Sequence, residues 1–171
     1  MAITSPLRFS SCTDPGRSGR RDRRPVSFQA RVALHESAHA LVALELGFDV
    51  ERASIEPTSD GQGEGETVWA DPSPSAPPER FEAAACVHLA GMVSERIFFG
   101  HAEYHDEDHE SALGLLEGIG RLGEILTLCA RTRDILLERL TDLQVVAGAL
   151  LDERELCGAD LRLLLDERRT A

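Results

Sequence analysis

Apolar side chains recur at helical spacing through five stretches of this chain, and two short alternating runs interrupt them. From about Ser27 to Leu46 the positions Val32, Leu34, Ala38, Leu41, Val42 and Leu46 predict a helix, with Gly47 suited to end it. FDVERASIEP reads as a strand closed by Pro57, and ETVWA as a second one beyond the Gly-rich turn TSDGQGEGE. DPSPSAPPE is a loop. Helix resumes at Glu79 and runs to a stop at Gly100. HAEYHDED is a charged connection, and Asp108 stands at the start of the next helix, HESALGLLEG, where an acidic side chain favours the N-terminal end. Leu122, Ile125, Leu126, Cys129, Leu136, Leu140, Leu143, Val146 and Leu150 then form one long helical stripe, and a short helix follows Gly158. The expected fold is mainly α with a small β hairpin.

Composition sharpens this picture. Aromatic residues make up 5% of the 171, so Leu, Val and Ala must fill the core. No apolar run reaches the ~20 residues needed to cross a bilayer, so no membrane partner is expected. Residues 1–27 are polar, rich in Arg and Ser and aperiodic, predicting a disordered basic N-terminal tail whose composition also suits a transit peptide. Residues 28–171 then form the one folded domain. Of the net charge of −12, residues 1–31 contribute +5 and the remainder −17. So acidic a body repels phosphate backbones and argues against nucleic acid as a partner. The four cysteines lack C-x-x-C spacing and read as free thiols of a reducing compartment, and the expected location is cytoplasmic. The chain contains no lysine, which excludes a P-loop ATPase, because that loop needs its Lys to reach the phosphates.

The chemistry lies in His35-Glu-Ser-Ala-His39. Four residues on a helix bring ~40° of net rotation and ~6 Å of rise, so His35 and His39 project from one face and can share a metal ion. Glu36, turned by ~100°, stands outside the ligand set but within reach of a polarised water, the place of a general base. The bland alternative is an accidental pair of histidines on a helix. A catalytic zinc requires a third protein ligand and an open position. No third histidine follows at the near spacing. Glu56, Glu64 and Glu66 are candidates on strand and Gly-rich segments, and HAEYHDEDHESA offers His101, His105, Asp106, Asp108 and His109. Asp108 is the best placed of these, with His105 and His109 competing. The same run also reads as a solvated acidic loop. His88 is expected to be a packed histidine and Trp69 a core or strand residue.

VALHESAHALVALELGFDVERASIEP resembles the zinc helix and following strand of the FtsH-type ATP-dependent zinc metalloproteases. HLAGMVSERIFFG resembles their L-x-G-R-x-A-E-x-x-x-F-G helix, EDHESA their N-D-L-x-x-A segment, and the run from Arg131 to Leu165 their C-terminal helices. The blocks follow in the same order from about Arg31 to Leu165. The resemblance implies His35, His39 and Asp108 as zinc ligands, Glu36 as the catalytic base, and ETVWA as an edge strand for an extended peptide. It implies a metalloendopeptidase acting on peptides or unfolded protein, in a family that forms hexamers, so a homo-oligomer is an open expectation. Ser37-Ala38 replaces the family's Ala-Gly, Met92-Val93 its Arg-containing pair, and Glu107 its Asn. The family's ATPase module and membrane anchor are missing from this sequence. The expectation is therefore a chain that cleaves unstructured segments, works with a separate unfoldase, or keeps the fold as a binding or regulatory module without turnover. A structural metal site with His105 or His109 as fourth ligand is the remaining alternative.

Overall fold

In the computed structural model, which describes residues 28–57, 63–103 and 106–169, one helix is surrounded by the rest of the chain. Helix α1 (Phe28–Glu45) is buried without interruption from Val32 to Ala43. The sequence led us to expect an apolar stripe there. The remaining sides are closed by small residues, Ala33, Ser37, Ala40 and Ala43, which let neighbours approach from several directions, as a central helix requires.

Helix α2 (Pro78–Phe99) crosses α1, beginning one residue earlier than expected because Pro78 is favoured in the first turn. It ends at Gly100, whose left-handed backbone (φ 81°) donates its N–H to the Arg96 carbonyl. On another side lies a sheet of strands β1 (Val50–Pro57), β2 (Gly63–Trp69) and β3 (Glu155–Cys157), antiparallel in the order β2-β1-β3. The expected hairpin is there, with β2 taking in part of the Gly-rich segment. Strand β3 was not foreseen. Three residues are too few for an alternating pattern, and its place depends on Arg154, which turns the chain with φ 71°.

Helix α3 (Asp106–Gly118) starts two residues before the expected Asp108 and packs on α2. The single long helix expected after Leu122 is instead a short 3-10 turn (Leu122–Glu124) and two helices, α4 (Ile125–Glu138) and α5 (Leu140–Glu153), with a corner at Arg139. No Gly or Pro marks this corner. The Arg139 guanidinium fixes it by donating to Asp142 and Glu45 at 2.7 and 2.8 Å. The corner sends α4 against α2 and α5 against α1, and α6 (Gly158–Arg169) closes the sheet side. The core is aliphatic: Leu34, Leu41, Leu89, Leu116, Leu136, Leu143, Leu150 and Leu161 are its largest fully buried apolar side chains. The fold is therefore mainly helical with a small antiparallel sheet. No helix among the described residues is long and apolar enough to cross a membrane.

Candidate metal centre

The middle of α1 carries His35 and His39, both buried, with ring centroids 4.8 Å apart. The back of each ring is tied down. His35 Nδ1 lies 2.8 Å from Glu95 Oε1, and His39 Nδ1 lies 2.8 Å from the Val87 carbonyl oxygen. A carboxylate and a carbonyl only accept, so both Nδ1 atoms carry the proton and donate. That choice directs both Nε2 atoms the same way. They meet Oδ2 of Asp108, at 3.0 Å from His35 and 3.2 Å from His39. Asp108 sits in the first turn of α3, more than sixty residues further along the chain.

The electrostatics follow from this convergence. Burial pulls the His35 imidazole down, but hydrogen bonds to Asp108 and Glu95 and the charge of Glu36 reverse this and raise it to about 9. Burial pushes Asp108 up, and hydrogen bonds from His35, His39 and His88 overcome it and hold the carboxyl far below the usual range. Glu95, whose side chain is fully buried, is likewise lowered: burial is outweighed by His35, the Glu103 N–H and Arg31. A proton thus sits in the metal-free protein where two nitrogens and one carboxylate oxygen face one another within 4.8 Å. Two imidazoles with their outer nitrogens already donating, and one carboxylate, form a donor set that suits zinc and leaves further coordination positions for water or substrate.

Around these three, other side chains hold the geometry. Arg31 donates to Glu95 Oε2 at 2.9 Å and lies over the Phe99 ring, while the Glu103 N–H reaches the same Oε2 at 2.9 Å. Glu95 thereby joins α1, α2 and the segment leading to α3. Gly91 lets α2 lie close against the His35 ring, onto which any Cβ at that position would fall. Glu36 lies on the sheet side, buried, its Oε2 accepting a 2.8 Å hydrogen bond from Thr67 Oγ1 on β2; the same hydroxyl lies 3.0 Å from the Glu36 carbonyl oxygen. Gly65 allows this docking, since a Cβ at that position would come within 2.5 Å of Glu36 Cγ.

The structure therefore brings His35, His39 and Asp108 together, with Glu36 beside them. The competing candidates fall elsewhere. Glu56 and Glu64 face each other across the hairpin as exposed residues, and Glu66 pairs with Arg52 at 2.5 Å. His101 bonds Glu103 and Arg31 on the surface. Asp106 opens α3, His109 is not part of the cluster, and His105 lies outside the described residues. His88 is more than a packing residue. Its ring stands edge-on to Trp69, and its Nδ1 is 3.9 Å from Asp108 Oδ1. Reasoning from sequence missed Glu95, Arg31 and Thr67. A signal for Glu95 existed: it is the one acid in α2 beyond the first turns, set among Ala, Leu and Val. No protein-family model matches this chain, and no curated protein matches it.

Proposed function

We propose that this chain is a zinc-dependent endopeptidase acting on peptides and unfolded protein segments. One observation carries the reading: two histidines one turn apart, each with Nδ1 already donating, aim Nε2 at a carboxylate from a distant helix, with a glutamate next to them. The ordered resemblance of four sequence blocks to the FtsH-type proteases supports it, and so does the open outer edge of β2, where an extended chain can pair by main-chain hydrogen bonds.

His35, His39 and Asp108 would hold the ion. A zinc ion held there would supply a Lewis acid that lowers the pKa of a coordinated water and polarises the scissile carbonyl. Glu36 accepts the proton from the water as its oxygen bonds to the carbonyl carbon, then delivers it to the amine nitrogen as the C–N bond breaks. Thr67 fixes the carboxylate for both transfers. Glu95 and the Val87 carbonyl keep the imidazoles in the tautomer that leaves Nε2 free. Glu36→Gln tests the assignment. It should retain one zinc per chain and lose at least about a thousandfold of the cleavage rate on an unfolded casein-like substrate. Wild-type cleavage by the variant, or no cleavage by the zinc-loaded wild type, refutes the proposal.

A further inference from the structure

A cleft of about 510 Å³ lies between α3 and the segment that follows β2. Phe81 and His88, seven residues apart on α2, line its inner side; Leu115 and Gly114 of α3 and Pro72 line the others, and Asp71 stands exposed on its wall. His88 belongs to both places, since its Nδ1 lies 3.9 Å from Asp108 Oδ1. A substrate residue next to the scissile bond can therefore place its side chain in this cleft.

The lining selects what enters. Phe81, Leu115 and Pro72 suit a methylene chain. Among the described residues no Arg lines the cleft, and Asp71 is the lining residue with a carboxylate. The surrounding body is strongly acidic, at −17 from residue 32 onward. A long side chain with an apolar stem and a cationic head meets both features, burying the stem and pairing the head with Asp71. We propose that this cleft is a specificity pocket for arginine or lysine in the substrate, recognised by Asp71, with its depth set by the missing side chain at Gly114. The proposal rests on the peptidase reading for its role, though not for its binding chemistry.

Gly114 offers a clean test, because a Cβ there meets nothing within 4 Å. Gly114→Leu adds bulk on the cleft wall from a Cβ that meets no neighbour, and replaces a poor helix former with a good one. Four fluorescein-labelled unstructured peptides, identical except for Arg, Lys, Met or Glu at one position, are titrated by anisotropy against the zinc-loaded full-length Glu36→Gln chain. Arg and Lys peptides should bind about three- to fivefold more tightly than Met, and about tenfold more tightly than Glu. Asp71→Arg should reverse the order of Arg and Glu, and Gly114→Leu should erase it while the melting temperature holds. Equal affinity for Arg and Glu, a ranking that ignores both substitutions, or no binding of any peptide overturns the pocket. If the ranking holds and the zinc-loaded wild type cuts none of the peptides, the pocket stands and the peptidase reading falls. If it cuts them, Arg or Lys must be enriched on one fixed side of the cut.

Discussion

Replacing Glu95 by Gln keeps the volume of a fully buried side chain and removes only its charge and one acceptor. Glu95 now accepts from three donors: His35 Nδ1 and Arg31 at 2.8 and 2.9 Å, and the Glu103 N–H at 2.9 Å. Glutamine has one oxygen and an NH2 group, so the three cannot all be served. With the oxygen turned to His35, the NH2 meets both Arg31 and the Glu103 N–H. Each unsatisfied buried group costs about 1–3 kcal/mol. With the NH2 turned to His35, the imidazole must move its proton from Nδ1 to Nε2, which blocks the nitrogen that would bind metal. Either way the site weakens. Outer partners of metal-bound histidines contribute about 10- to 100-fold in affinity, or about 1.4–2.7 kcal/mol. We expect a loss in that range when zinc binding is measured by competition with a chromogenic chelator, together with a lower melting temperature. A dissociation constant within about twofold of wild type, with unchanged melting, would show that Glu95 does not orient His35, and the tautomer argument would fail.

Two further outcomes follow from the same geometry. The metal-free protein holds His35 at about 9 against an ordinary 6.5, so that contribution to stability is complete below pH 6.5 and disappears as pH rises through 9, about 3 kcal/mol in all. Urea unfolding in EDTA should show this alkaline decline and the zinc-loaded protein should not; parallel curves would argue against displacement of a proton by the ion. Thr67→Val removes the hydroxyl that holds the Glu36 carboxylate, and should lower kcat about tenfold with zinc affinity unchanged. A fall in zinc affinity instead would place Thr67 with the ligands.

How far the sequence could be read depended on the range of the interaction. His35, Glu36 and His39 were visible because a five-residue motif on one helix fixes its own geometry. Asp108 stood out among several acids and histidines of a charged run by its place at a helix start, with His105 and His109 still competing, and the family resemblance pointed to the same residue. Glu95 and Thr67 were hidden. Each acts across the fold, over separations of 60 and 31 residues: Thr67 looks like any strand threonine, and Glu95 shows locally only as a late acid in a mostly apolar helix, with nothing to name its partner. The same holds for the fold. Helix content followed from periodicity, whereas the corner at Arg139 is made by ion pairs with Asp142 and with Glu45, the latter 94 residues away, inside an unbroken apolar rhythm. Strand β3 exists only because β1 has an edge to receive it.

Helix α3 lies on α2, and among the described residues its backbone does not pack against α1. Asp108 is thus its link to the histidine pair. An ion at that point would take over from the hydrogen bonds that now join Asp108 to the histidines, and rivet more firmly two parts that share no other seam. If the site takes a metal, its removal would loosen a wall of the neighbouring cleft, and the protein's grip on whatever enters that cleft would slacken with it.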